Sequence, residues 1–582
     1  MIHELVGNPK LIETIAEDDI ELLRLMKNDL PPYAVEVKWQ LKKLNSQAIT
    51  FWEIIESIEE YEKMFLNHVI GESDTNLPDI HCNLNCFSLP QTYSKLEPGL
   101  IDVYKSFEQF KIEKLSEEEG AIPYLFIGEK ANLPFRFTGE YEGEERPSIP
   151  SKQEFLKRFK IFTNDQLEGW DDWENMIVIG GAVSNCLFDI PIEYIGRESE
   201  YFHDVAYKTS DIDIYCFGIS DEEFFKKLWS FYNFLLHKHN SQGREQVLVF
   251  KTPHTVTFVT EYPNRQIQFV LGKWESMEHL LLEPDVDCSC FGYQGIGGGR
   301  VITTQRGRFS LNYRTIITSP SRYAVRGCAI YESRLIKYSK RGFIIRDRKL
   351  DWEQVDEFYI ESGKNDLLRK NGLITKVFGL RILIALHEHS HELKDSEFMT
   401  YLAGEELPSL DYLVDVGIPY GRGWTIDKIQ QGYYRGVQYY TAHYHNHLVD
   451  EHPTLLLENL IDPEQLSFPF SDLMTHNKIY ALNMLSVSDG KKIESSAPLA
   501  EDWYFRVFKE DRINEIVRHK NALRDNRFDY SCNRELHGKL PSERPREGYF
   551  EALLNVDKYR GHINIPGVQL NQDEIALLDY EF

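Results

Sequence analysis

The sequence predicts an α/β protein: a mixed-sheet core between an acidic N-terminal region of mixed structure and a largely helical C-terminal region. Three observations carry this. Between about 151 and 349, short apolar runs bounded by Gly, Pro and Asp alternate with helical periodicity. Before that stretch, "ITFWEIIESIEEYEKMFLNHVI" has the spacing of an amphipathic helix. Composition is that of a folded chain, 42% hydrophobic and 13% aromatic over 582 residues, long enough for several domains.

Three segments follow, 1–150, 151–349 and 350–582. The first boundary falls in "FTGEYEGEERPSIPSKQEF" at 137–155, polar and rich in Gly and Pro. In the central segment, "MIVIGGAVSNCLF" reads as strand, Gly turn and helix start, and "SDIDIYCFG" as a strand. "SDEEFFKKLWSFYNFLLHKHN" reads as a helix capped by Ser220 with acids in its first turn. "QVLVFKT", "TVTFVTEYP" and "RQIQFVLGKW" are three strands, "DVDCSCFGYQG" a fourth, and "YAVRGCAIYESRLIKYSKRGF" a basic helix.

The net charge of −27 makes bulk polyanions poor partners unless a local basic patch exists. Eight cysteines, with no paired framework, suit a reducing compartment. The start lacks a basic stretch followed by an apolar one, so no signal peptide is expected, and no run of about eighteen apolar residues predicts a membrane span. A cytoplasmic location is the expectation.

Three groups of residues carry candidate chemistry. The first joins Gly180 and Gly181 to Asp211 and Asp213. Glycines between strand and helix let the backbone approach a phosphate, and Ser184 could add a hydroxyl. In Asp211-Ile212-Asp213, acids two apart on a strand share one face and repel unless a cation lies between them. Mg²⁺ takes one or two carboxylates plus phosphate oxygens, and two such ions can align a triphosphate with an attacking hydroxyl. The bland alternatives are a tight turn and a solvated strand edge.

This order of Gly-Gly, helix and Asp-x-Asp strand resembles the DNA polymerase β-like nucleotidyltransferase superfamily, over roughly residues 170 to 345. "GGAVSNCL" looks like its Gly turn and "SDIDIYCFG" like its metal strand. The stretch after "RQIQFVL" is also similar to nucleotidyltransferase-like proteins of large DNA viruses and fungi. The resemblance implies a nucleotidyltransferase-like core and transfer of a nucleoside monophosphate from a nucleoside triphosphate, ATP foremost. It implies Mg²⁺ or Mn²⁺ held by Asp211 and Asp213 and a template-independent, poly(A) polymerase-like reaction, for which the basic aromatic stretch described next suggests an RNA 3′ end as acceptor. It also implies a third carboxylate, on a strand of the form Arg-x-Ile-Asp. Here that position is Gln268, whose amide is no base and a weaker ligand for Mg²⁺. Three readings stay open: catalysis is lost, leaving a nucleotide- or RNA-binding pseudoenzyme; Asp285 or Asp287, sharing a face in "DVDCSC", completes the site; or two acids suffice. The alternative for Asp285 and Asp287 is a turn cap after Pro284.

The second group is residues 300–349, with thirteen Lys or Arg against Glu332 and Asp347, a local net charge of +11. Arg334, Lys337 and Arg341 recur on one helix face, and Tyr323, Tyr331, Tyr338 and Phe343 interleave as rings that stack on nucleobases would. The expectation is a phosphate-binding wall for nucleotide or RNA; the alternative is a solvated helix neutralised by the N-terminal acids.

The third is "HEHSH", where His387, Glu388 and His391 fit the His-Glu-x-x-His of zinc hydrolases, with Glu405 or Glu406 as a third ligand. His443, His445, His447 and His452 cluster further on, and "HCNLNC" at 81–86 has three soft ligands. The competing reading of the first is a helix end whose histidines favour its C-terminus.

Overall fold

The computed structural model describes residues 51–70, 99–113, 122–128, 146–208, 210–241, 247–251, 255–272, 274–326, 330–368, 379–389, 421–431, 454–456 and 500–524. Its strands are β1 Leu100–Asp102, β2 Met176–Ile179, β3 Ile212–Cys216, β4 Leu248–Lys251, β5 Thr255–Val259, β6 Ile267–Val270, β7 Phe291–Gln294, β8 Arg300–Thr304, β9 Thr315–Ile317, β10 Ile344–Arg346 and β11 Thr454–Leu456. Helices are α1 Phe51–Ile70, α2 Lys152–Phe162, α3 Gly181–Leu187, α4 Asp221–Ser241, α5 Met277–Leu282, α6 Gln305–Tyr313, α7 Pro320–Arg326, α8 Ile330–Lys340, α9 Glu357–Leu368, α10 Leu380–Glu388 and α11 Lys509–Arg524.

Nine strands form one sheet in the order β1-β8-β7-β2-β3-β6-β5-β4-β11, so the Asp-x-Asp strand β3 is its middle strand. Every pair is antiparallel except β3–β6, which is parallel. The mixed sheet with helices is the predicted α+β core. Its edges come from outside 151–349: β1 from the N-terminal side and β11 from the C-terminal side. The chain β4-β5-β6 is an antiparallel meander, which short turns between period-2 runs dictate. β9 and β10 form a separate parallel pair.

Alternation along each strand decides what covers it. Ile212, Ile214 and Cys216 of β3 join one core with Phe155, Phe159 and Phe162 of α2 and Phe224, Leu228 and Phe231 of α4. On the opposite face, Ile177 and Ile179 of β2 pack with Met277, Leu280 and Leu281 of α5. Helix starts follow their caps. Ser220 Oγ accepts from the Glu223 amide, and Glu223 Oε2 accepts from the Ser220 amide, a reciprocal capping box. Ser151 and Thr304 cap α2 and α6 with one bond each, their hydroxyls accepting from the amides of Glu154 and Gly307.

The expected strand in "DVDCSCFGYQG" is only half right. It begins at Phe291, and Asp287–Ser289 is a 3₁₀ turn, so Asp285 and Asp287 do not share a strand face. Cys186, Cys216, Cys288 and Cys290 are free thiols in the core. Among the described residues, no helix is long and apolar enough to cross a membrane.

One buried acid makes stability depend on pH. Glu278 of α5 is 2% exposed, and burial pushes its carboxyl from 4.5 to about 8, against the pull of the Gly99 backbone. Between pH 4.5 and 8 the unfolded chain releases this proton and the folded chain keeps it, so folding weakens as pH rises. Glu278→Gln is expected to flatten that decline, measured as the unfolding midpoint from pH 5 to 8.5. An unchanged slope would mean that Glu278 ionises normally.

Candidate nucleotide site at the centre of the sheet

Gly180 ends β2 with φ +83° and ψ −136°, a backbone state that side chains disfavour and glycine adopts freely. Its amide donates to the Phe291 carbonyl at 3.0 Å, tying the turn to β7. A Cβ on Gly180 would meet nothing within 4 Å, so the turn borders open space. Gly181 is the first residue of α3, and a Cβ there would make only an ordinary 3.8 Å contact with Asn185 Nδ2.

The register carries the acids to this turn. Ile179 of β2 lies opposite Asp213 of β3, so the next residue along β2 is Gly180. Asp211 immediately precedes β3. Burial and the neighbouring Asp211 raise the Asp213 carboxyl well above its ordinary range, opposed by Arg334 and Lys337. The Lys337 amine is depressed to about 8 by burial and by Arg341 and Arg334, against the pull of Asp211 and Asp213. Two acids therefore lie within electrostatic reach of Arg334 and Lys337, and Arg341 is close to Lys337.

Each base has its own anchor. Arg334 Nε donates to Asp285 Oδ1 at 2.8 Å. The Arg341 guanidinium donates from Nη1 to Asn185 Oδ1 at 3.1 Å and lies over the rings of Tyr207, 4.7 Å away, and Tyr338, 5.0 Å away. Lys337, between them in sequence, lies 5.9 Å from the Tyr338 ring.

Gln268 is the in-register neighbour of Asp213 across the parallel β3–β6 pair. Paired residues of adjacent strands share a face, so its amide flanks the Asp213 carboxyl. Asp285 and Asp287 serve elsewhere. Asp285 is fully buried against Arg334. Asp287 accepts from the Ile317 amide at 2.7 Å and from Arg306 at 3.3 Å. The charge that disturbs Asp213 is that of Asp211, not of either. The expectation that Asp285 or Asp287 completes the acidic set is corrected accordingly: both are held in turns, by bases and backbone.

Ser184 also departs from expectation. Its hydroxyl donates to the Gly180 carbonyl at 3.0 Å and is buried. That is a hydroxyl bonding back one helical turn, which stabilises the Gly turn rather than cradling a phosphate.

Arg265, the Arg of the "RQIQFVL" strand, holds the approach to Asp211. It is fully buried and donates to the carbonyls of Phe162, Phe202, Tyr207 and Ser210 at 2.6–2.9 Å. Arg265→Met would strand four buried acceptors just before Asp211. A charged hydrogen bond contributes about 1.5–3 kcal/mol, so the loss should exceed about 3 kcal/mol in denaturant unfolding. A loss under about 1 kcal/mol would show that these carbonyls find other donors.

The aromatic part of the basic stretch is corrected too. Tyr323, Tyr331, Tyr338 and Phe343 are 0–3% exposed and belong to the core, so none is available to stack on a base. Many of the cations are neutralised, as the alternative reading held: Arg300 by Asp102, Arg306 and Arg322 by Glu62, Arg348 by Glu59.

The zinc motif needs a continuous helix through His391, but α10 ends at Glu388. His387 Nδ1 lies 3.0 Å from the Phe126 backbone, and His389 pairs with Glu361. His391, Glu405, Glu406, His443, His445, His447, His452 and the "HCNLNC" segment lie outside the described residues. Among the described residues, no group of three or more His, Cys, Asp or Glu could hold a metal ion.

Residues 152–306 match the Gabija anti-defense 2 (Gad2) family, a nucleotidyltransferase-like fold. The chain is also 23% identical over 205 residues to "Uncharacterized protein R883" of Acanthamoeba polyphaga mimivirus, covering 33% of this chain and 40% of that protein. The Gad2 match is consistent with a nucleotidyltransferase-like core. The Gad2 match contains the Gly turn, both strand acids and Gln268, and ends before Arg334, Lys337 and Arg341.

Proposed function

We propose that this chain is a metal-dependent nucleotidyltransferase acting on a nucleoside triphosphate. The observation that carries the reading is the pair Asp211 and Asp213, partly buried on the middle strand beside an open Gly turn and faced by Lys337. Burial and the like charge of Asp211 raise the Asp213 carboxyl, and a divalent cation relieves that repulsion.

The donor set fits Mg²⁺ or Mn²⁺ only in company with substrate oxygens, because two carboxylates are too few for a dedicated cage. Bound there by Asp211 and Asp213, the ion would offset charge on the triphosphate and on the attacking oxygen. In the reaction, an acceptor hydroxyl attacks the α-phosphorus and gives up its proton to solvent. A new P–O bond forms, the α–β anhydride bond breaks, and pyrophosphate leaves. Lys337 and Arg341 oppose the negative charge of the phosphates, and the Gly180 turn lets the backbone come close to them. Arg334, held by Asp285, keeps a positive charge behind the acids. In this reading the nucleotide is ATP and the acceptor an RNA 3′ end. The RNA assignment rests on the basic ridge alone, now that the rings belong to the core.

The test is pyrophosphate release from each nucleoside triphosphate, with Mg²⁺ or Mn²⁺ and a mixed RNA pool, in wild type and Asp213→Asn. Release by wild type alone supports transfer. No release, with nucleotide still bound, selects a second reading: a binding protein without turnover. That reading is favoured by Gln268, an amide in register with Asp213 where the resemblance calls for a carboxylate.

A further inference from the structure

We infer that Asn185 binds the substrate, its Nδ2 donating a hydrogen bond to a phosphate oxygen of the nucleotide, and that Arg341 is the positioning residue that aims it; this rests on the nucleotide reading above. Asn185 is 1% exposed, and its Nδ2 has no hydrogen-bond partner among the described residues. Buried amide donors are normally satisfied, so an orphan one marks a missing acceptor.

The orientation of this amide is determined by chemistry. Arg341 can only donate, so the atom 3.1 Å from its Nη1 must be the carbonyl oxygen Oδ1. Nδ2 is then the other branch. It is the atom nearest to where a Cβ of Gly181 would stand, 3.8 Å away, so it lies over the Gly180–Gly181 turn. The rings of Tyr207 and Tyr338 hold the guanidinium in place, which keeps the amide from flipping.

The surroundings select the missing acceptor. Arg341, just past the C-terminal end of α8, touches the amide, and Lys337 lies four residues before it. A donor beside two cations is best completed by an anionic oxygen. The open space beside Gly180 leaves room for one. A triphosphate arriving at Asp211 and Asp213 passes this turn, because Gly180 follows the residue opposite Asp213.

The experiment measures binding of ATP and of inorganic tripolyphosphate, each with Mg²⁺, to wild type, Asn185→Asp, Asn185→Ala, Arg341→Met and Arg341→Lys. Asn185→Asp keeps the Arg341 contact and removes the donor. It should weaken both ligands by at least about tenfold, the worth of one charged hydrogen bond, without lowering the unfolding midpoint. Asn185→Ala should do the same should the new carboxylate disturb folding. Arg341→Met should weaken both ligands as well, and Arg341→Lys, still a donor to Oδ1, should recover part of the loss. If wild type binds both ligands and the two Asn185 variants stay within about twofold, Nδ2 is met by water and the inference is overturned alone. If wild type binds neither ligand, the nucleotide reading falls and the inference with it.

Discussion

Asp213→Asn is expected to remove nucleotidyl transfer while leaving the protein at least as stable as wild type. The two effects have one cause. Asp213 is partly buried beside Asp211, and both burial and that neighbour disfavour its charge. The unfolded chain ionises this group in the ordinary carboxylate range, whereas the folded chain holds its proton to higher pH. Folding therefore weakens as pH rises from about 4, and the amide, of the same shape, removes that slope. The same substitution removes half of the carboxylate pair that would hold the divalent cation. A cation's stabilisation of developing charge amounts to several kcal/mol, so turnover should drop by about a thousandfold or more. Pyrophosphate release and thermal unfolding at pH 7.5 check the two halves. Activity within about tenfold of wild type would sink the assignment of Asp213. A large drop in midpoint would mean that the acid was structural. Loss of turnover with stability kept or gained is the signature of a residue retained for function.

The parts of this site that were readable in the sequence are those set by local rules. Period-2 alternation exposed β3, a Gly pair between an apolar run and a helix exposed the turn, and the i, i+3, i+7 spacing grouped Arg334, Lys337 and Arg341. Even the mistake over the rings had a local remedy. Tyr331, Leu335 and Tyr338 recur at i, i+4 and i+7, an apolar stripe beside the basic one, and all three are buried. Ser184 could likewise have been read as bonding back to residue 180. What was hidden depends on partners far along the chain. Asn185 gains its role from Arg341, 156 residues later. Arg265 reaches the Phe162 carbonyl 103 residues earlier. The fate of Asp285 follows from Arg334 and that of Asp287 from Arg306, and no spacing within "DVDCSC" reports either.

Gln268→Asp is the converse experiment, and it is expected to raise activity. Gln268 pairs with Asp213 across β3–β6, so a carboxylate there would stand on the same face as Asp213. Thr257 is the partner on its other side, in β5, and brings no competing charge. In the absence of metal the variant adds a third like charge to a pair that already resists ionisation, so the apo protein should lose stability as pH rises. Mg²⁺ or Mn²⁺ should restore that stability, since a third carboxylate adds ligand charge to the set. Metal affinity should rise by about tenfold or more, read from the metal dependence of the unfolding midpoint. If the remaining machinery is intact, pyrophosphate release should rise with it. A gain in metal affinity without turnover would place the chain among nucleotide-binding proteins that have given up the reaction. No gain in metal affinity would mean that residue 268 does not face the Asp213 carboxylate in solution, and the two-acid set would then have to account for all metal binding here.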